Sequence, residues 1–390
     1  MLTSSDVSAD PSATSWTDSR AASAAGVNSA LPLSPTGLRS YVLSTSDAEQ
    51  WRQVLPADRS VMGSVEYARF CEKQTGCVAR LFVVEAPQPV LAYPFLMRPV
   101  QQLPFAADVP AWDTYTPEYT GPLLIGAGQS HVPFTNLFAR YCREQRIVAE
   151  FAHLNPWDSG AECLDAAGIE LNREIVYVDV TRSEEELWTK SLTSACRRFV
   201  KRARATGLRI RRAETAEDIQ RFQRVHEATM DRRQALDRYY HSSEYFLDLQ
   251  ATLPYNVFYV LAECEGQVVA GGLFLEDRDT VYWELSAVDL AYSSARPVNG
   301  YLYDAILDAS RRGRKRLVLG GAYRPDDGVF RFKTSFSPLR AKFSTYKRIH
   351  DAHAYAALSD AWSAHHGGKK PRDDYFPAYR STVPVEEERE

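Results

Sequence analysis

The chain has 390 residues, 45% hydrophobic and 25% charged, with a net charge of −4 and an isoelectric point near 6.1. That length is too great for one ordinary core and fits two domains plus tails, and the composition is that of a soluble globular protein. A charge so close to neutral excludes capture of a polyanion by the field of the whole molecule, so any such partner must meet a local basic patch.

Residues 1–36 are rich in Ser, Ala, Thr and Asp and cannot bury enough surface to offset the entropy of ordering. They read as a disordered tail. Strand signals begin at Tyr41–Leu43, followed by helices from Asp47 and over Ser64–Lys73. The apolar runs Ala79–Val84 and Val90–Met97 read as a hairpin. Trp112–Pro122 is aromatic and proline-rich and reads as a long loop. A helix over Pro133–Gln145 and a strand over Ile147–Leu154 close a first cycle. A second cycle runs through a strand at Ile175–Val180, a basic helix over Ser194–Thr206 and a strand at Leu208–Arg212. Helices over Ala216–Ala235 and Ser243–Thr252 follow, then strands at Val257–Glu263, Val268–Glu276 and Thr280–Val288. A helix over Val298–Arg312, a strand at Leu317–Gly320 and a last strand at Ala341–Ile349 complete it. The end after about residue 363 reads as loose.

The two cycles share a register. Ser64-Val65-Glu66-Tyr67 recurs as Ser242-Ser243-Glu244-Tyr245, and at the same offset Glu85 meets Glu263, Val90 meets Val268 and Ala92 meets Ala270. This argues for a duplicated α/β domain, with a first copy over 37–174, a second over 175–362 and a flexible tail over 363–390. Two packed copies predict a cleft between them, a usual place for small-molecule sites.

Cys71, Cys77, Cys142, Cys163, Cys196 and Cys264 form no CxxC pair and no zinc spacing, which predicts reduced thiols, a cytoplasmic setting and no metal. No apolar run is long enough to span a membrane, and the N-terminus has no secretory pattern.

Two stretches carry candidate chemistry. Leu317–Phe336 reads as a buried strand ending at Gly320-Gly321, a loop, and then Phe330-Arg331-Phe332-Lys333. Lys333 either holds an anion at a cleft or is a solvated surface lysine. Cys196–Arg212 is a basic helix and strand with no acid. Arg197, Lys201 and Arg204 repeat at helical spacing, and like charges so placed repel unless something outside the helix compensates. Phosphates would do so, as would acidic neighbours brought in by the fold.

The duplicated α/β pattern, the helix CRRFVKRARATGL and the later GGAYRPDDGVFRFKTSF together resemble the Fem-type aminoacyltransferases, relatives of the GCN5-type (GNAT) N-acetyltransferases that carry two such domains. The resemblance rests on the basic helix ending in Ala203-x-x-x-Gly207 and on Phe332-Lys333 ahead of Phe336. It covers roughly 38–350. It implies an α/β fold of two tandem GNAT-like domains, mixed sheets flanked by helices. It also implies transfer of an aminoacyl group from aminoacyl-tRNA to the amine of a peptidoglycan precursor or a natural-product small molecule. On that reading Arg197, Arg198 and Lys201 meet phosphates and Lys333 sits at the reacting ester; Tyr323 and Phe332, near that lysine in sequence, are further candidates for substrate contact. The chain lacks a coiled-coil insertion between Arg212 and Val257. It also lacks the glycine-rich pyrophosphate loop of ordinary acetyltransferases, since Asp289–Gly300 has no consecutive glycines. The donor is therefore expected to be aminoacyl-tRNA, with acetyl-CoA less favoured and no further cofactor.

Attack of an amine on such an ester needs positioning, proton removal and oxyanion stabilisation. Glu284, in the apolar strand Val281–Ser286, is a candidate base if burial raises its pKa; it also reads as an exposed strand carboxylate. Asp326, Asp327 and the ribose hydroxyl are alternatives. Tyr93, Trp112 and Tyr119 are candidates to line an acceptor pocket or, equally, to serve packing. Two other functions fit the same residues: an acyl-CoA N-acyltransferase, and a non-catalytic protein whose basic helix grips RNA or a phosphorylated ligand.

Overall fold

The structure, a computed structural model, describes residues 38–125, 133–322 and 327–382. The tail expected over 1–36 lies outside the described residues. From the N-terminal side the elements are β1 (Arg39–Ser44), α1 (Ala48–Val54), α2 (Val65–Thr75), β2 (Val78–Glu85), β3 (Pro89–Pro99), β4 (Trp112–Tyr115), β5 (Leu123–Leu124), α3 (Phe134–Glu144) and β6 (Ile147–His153). Ser64 starts α2 because its hydroxyl accepts the Tyr67 N–H at 3.2 Å. The strands run β1–β2–β3–β4–β6, antiparallel except for β4 on β6. Phe82, Tyr93, Phe95, Phe134, Phe138 and Tyr141 pack ring on ring over this sheet.

Part of the stretch expected to be a loop is therefore an internal strand, β4. Its sequence hides this, because Asp113 is fully buried. The charge is met by residues about 270 positions away: Arg380 Nε donates to its carboxylate at 2.5 Å, and the Tyr379 hydroxyl bonds it too.

The second set comprises β7 (Ile169–Asp179), α4 (Glu184–Glu186), α5 (Ser194–Ala205), β8 (Arg209–Arg212), α6 (Ala216–Arg233), α7 (Ser243–Thr252), β9 (Val257–Cys264), β10 (Gln267–Glu276), β11 (Thr280–Val288), α8 (Pro297–Arg311), β12 (Arg316–Gly320) and α9 (Gly328–Thr334). Ser242 caps α7 as Ser64 caps α2, accepting the Tyr245 N–H at 3.2 Å. The strands run β8–β9–β10–β11–β12–β7, with only β11–β12 parallel. Neighbouring residues of β10 show how the faces are covered. A side chain on Gly271 would strike Phe222 of α6, and one on Gly272 would strike Tyr301 of α8. On the α6 face, the rings of Phe222, His226, His241 and Phe246 cluster. Burial lowers both imidazoles to a pKa of about 4.

The last elements are β13 (Arg340–Ile349) and α10 (Ala352–His365). β13 pairs antiparallel with β6, from Thr345 opposite His153 to Ile349 opposite Ala149. The chain divides into two compact units accordingly. Among the described residues, the second consists of Ala57–Val61 and Arg173–Lys342, and the first of residues up to Pro56, from Met62 to Asn172 and from Phe343 to 382. The second copy expected over 175–362 is thus cut at Lys342, and the described part of the tail expected over 363–390 belongs to the first unit, with 383–390 outside the described residues. Residues 343–382 complete the first unit, where Trp362 and Tyr379 are buried and Trp362 Nε1 donates to the Ser381 carbonyl at 2.9 Å. Each unit thus has one parallel pair followed by an antiparallel strand, β13 after β6 in the first and β7 after β12 in the second.

Candidate active site

The parallel pair of the second unit opens. Thr280, Val281 and Tyr282 of β11 lie opposite Arg316, Leu317 and Val318 of β12, and there the pairing stops. A β-bulge follows on the other edge of β11. Leu273 pairs with Leu285 and Phe274 with Trp283, so Glu284 has no opposite number in β10. A bulge bends its strand and re-aims the extra residue. The bulge falls two residues past Tyr282, the last residue of β11 paired with β12. On the β12 side, Gly320 has φ of +75°, a conformation that favours glycine.

Lys333 sits at this fork. It is 2% exposed, and its Nζ donates to the Gly321 carbonyl at 2.5 Å. The same nitrogen lies 5.9 Å from the Trp283 ring centroid. One ammonium thus contacts the chain leaving β12 and the first residue of β11 past the opening. The expectation of a solvated surface lysine is corrected. Phe330–Lys333, which alternates in sequence, lies on helix α9, because Asp327 accepts the Phe330 N–H at 2.7 Å. Phe332 packs 6.3 Å from Trp283 and 5.2 Å from Phe336. A buried cation at a fork is suited to stabilising a developing oxyanion. Glu284, at the bulge, is half-buried. Asp327 is committed to its cap, and Tyr323 and Asp326 lie outside the described residues.

The basic helix adjoins this point. The Thr193 N–H that precedes α5 donates to the Ser335 carbonyl at 2.9 Å, two residues past Lys333. Cys196 is buried beneath the helix and receives Asn299 Nδ2 at 3.9 Å. Burial pushes its thiol up to about 11, so it stays protonated near neutrality. Gly300 of α8 lets α5 approach, since a side chain there would meet Ala203 and Ile210 at 3.0 Å.

The cations of this region divide into two groups. The fold brings acids to four of them: Arg204 pairs with Asp304 (3.5 Å), Arg209 with Glu263 (3.8 Å), Arg211 with Asp218 and Glu263 (2.6 Å each) and Arg212 with Asp308 (2.7 Å). Arg197 is a correction of another kind. Its Nη1 donates to the carbonyls of Leu192, Trp188 and Thr189, closing the π-helical turn Leu187–Ser191. Arg198, Lys201 and Arg202 are exposed and pair with no carboxylate among the described residues.

Residues 190–334 match the family model described as Acetyltransferase (GNAT) domain, a stretch running from the π turn to the end of α9. Among solved structures, the crystal structure of FemX is similar with a TM-score of 0.65 at 13% identity, covering 82% of this chain and 99% of that one. The fold is GNAT-like. A conserved protein of unknown function from Bacteroides thetaiotaomicron shares it with a TM-score of 0.52 at 9% identity, over 79% of this chain and 98% of the other. A tandem GNAT protein from the clavulanic acid biosynthesis pathway gives 0.46 at 11% identity, over 80% and 98%. No curated protein matches the chain. No helix among the described residues is long and apolar enough to cross a membrane.

The first GNAT-like unit treats its candidates differently. Tyr93 is fully buried in the aromatic cluster, and its hydroxyl donates to Glu150 at 2.8 Å. Tyr119 is 2% exposed and lies 5.0 Å from the Phe343 ring. Both are core residues, which corrects their placement at an acceptor pocket. Trp112 is half-buried against the same core. A cavity of about 350 Å³ exists at the start of β11, lined by Asp58, Tyr255, Glu276, Asp277 and Arg314 among others. It holds none of the residues singled out from the sequence.

Arg296 and Trp188 had not been singled out. Arg296 stands before α8 with its guanidinium 4.1 Å from the Phe199 ring centroid, and Lys201 Nζ lies 5.9 Å from that of Trp188. Neither contact has a local sequence signal, since Arg296 stands at the start of α8 and Phe199 on α5, and Trp188 lies in the turn before α5.

Proposed function

We propose that this protein transfers an aminoacyl group from aminoacyl-tRNA to a primary amine of a small molecule or peptidyl precursor, forming an amide. The observation that carries this reading is the juxtaposition, through Thr193 and Ser335, of the forked strands holding Lys333 with the outward cations of α5. Arg198 and Lys201 hold donor phosphates. The amine nitrogen attacks the ester carbonyl carbon, and Lys333 stabilises the oxyanion. The C–O bond to the ribose then breaks, with the amine proton passing by way of Glu284 to the departing ribose oxygen.

The start of α8 favours this donor over acyl-CoA. A pyrophosphate is held best by several free N–H groups at a helix N-terminus. Here Pro297, the first residue of α8, has none, so one of the donors that this first turn would offer is missing. A second reading, acyl-CoA as donor, is favoured by the family-model match over 190–334.

The deciding experiment incubates the protein with candidate amines and either labelled aminoacyl-tRNA or labelled acetyl-CoA. Amide formation from aminoacyl-tRNA alone is expected. Transfer from acetyl-CoA alone overturns the proposal. An activity from either donor that survives Lys333→Met unchanged removes Lys333 from the mechanism.

A further inference from the structure

The face of α5 that carries the outward cations has a second feature. At about 100° per residue, Lys201, Arg198 and Arg202 form one strip opposite the buried side chains of Cys196, Val200 and Ala203. Both margins of the strip hold a half-buried aromatic ring with a cation against it. On one margin Arg296 lies over Phe199 at 4.1 Å. On the other Lys201 lies over Trp188 at 5.9 Å, and Trp188 rests edge-on upon Tyr303, 5.3 Å away. Carboxylates beside this second margin are already taken, Asp304 by Arg204 and Glu186 by Lys190 at 2.9 Å. The exposed Glu184 and Glu185 bound the strip there.

From this arrangement we infer that the strip binds unpaired RNA, with bases stacked on Trp188 and Phe199 and the intervening phosphates held by Arg198, Lys201, Arg202 and Arg296. Double-helical RNA offers phosphates but keeps its base faces covered; an unpaired end offers both. Cations interleaved with aromatic rings are suited to the second form, because every base has a face to stack. The inference rests on the proposed tRNA donor and adds to it the part of the RNA that is recognised.

The test measures binding of two labelled RNA hairpins to the full-length protein across a salt series, one blunt and one with a four-nucleotide 3′ overhang. The overhang is expected to tighten binding about tenfold. Trp188→Ala and Phe199→Ala should each remove most of that gain and leave blunt-hairpin binding unchanged. Arg198→Ala and Arg202→Ala should weaken both RNAs and flatten the salt dependence. Arg296→Gln, an exposed substitution that leaves Phe199 in place, guards against misfolding as the cause; it should weaken overhang binding more than blunt binding. Equal affinity for the two hairpins, or full competition by tripolyphosphate, overturns the inference. Donor and surface fail separately. Transfer from aminoacyl-tRNA with an unchanged KM in Trp188→Ala and Phe199→Ala defeats the stacking surface alone. An overhang preference in a protein that transfers only from acetyl-CoA defeats the donor alone.

Discussion

The parallel strand pairs of the two units start alike and end differently. In the first unit, β4 and β6 match at Trp112–Ile147, Asp113–Ala149, Thr114–Glu150 and Tyr115–Phe151, and a further bridge joins Thr120 to Leu154. In the second, β11 and β12 match at three pairs and separate. The closed pair is tied by buried polar groups: Asp113 to Arg380 and Tyr379, and Glu150 to Tyr93 and His350. The open pair has a bulge at Glu284 and a buried lysine where the strands part. One fold, used twice, thus provides a sealed core in one copy and a fork with a candidate site in the other. Polar groups in the first should govern stability; those in the second should govern chemistry.

The largest effect expected is on the sealed unit. Arg380→Ala leaves Asp113 buried without its guanidinium and should cost about 3–5 kcal/mol in urea unfolding, with specific activity of the folded fraction retained. A stability loss under 1 kcal/mol would show that the tie to β4 is dispensable. Acid should act next, through the second unit. His226 and His241 hold protons less tightly folded, at about 4, than unfolded, near 6.5. The unfolded chain therefore binds more protons as the pH falls, and stability present above pH 6.5 is lost towards pH 4. Each imidazole should contribute on the order of 2 kcal/mol of loss between pH 7 and 5, and His226→Phe should flatten the profile.

Lys333→Met should reverse the pattern seen with Arg380, lowering turnover about 100-fold with little change in the unfolding midpoint. Tyr93→Phe removes a buried hydrogen bond to Glu150 and should cost about 2 kcal/mol of stability without altering KM for the amine; a raised KM would return Tyr93 to the acceptor site. The smallest effect belongs to Arg204→Ala. Its pair with Asp304 is half exposed, so stability should move by about 0.5 kcal/mol or less.

The amino-acid order carried much of the architecture, because most strands and helices announce themselves by local pattern. The register shared by Ser64 and Ser242 is seen in the structure as two equivalent caps. What it could not carry were contacts made at a distance. β4 reads as a loop because Asp113 and Thr114 break its apolar run, and Arg380, which makes its burial tolerable, is remote. Lys333 carries no local sign of burial; that follows from where α9 docks. Arg197 looks like its neighbours Arg198 and Lys201, yet the π turn before it absorbs its donors. The fork itself follows from where pairing ends, which no single residue declares.

The return of the chain from Phe343 into the first unit also bears on biosynthesis. A ribosome releases β1–β6 first, but these strands must wait for β13 and for Arg380, both made after the strands of the second unit. The second unit, although it begins later, has all its strands before that point. The domain translated first is therefore completed last. A nascent chain arrested after Lys342 would carry a complete second unit and an unfinished first one, a ready target for chaperones.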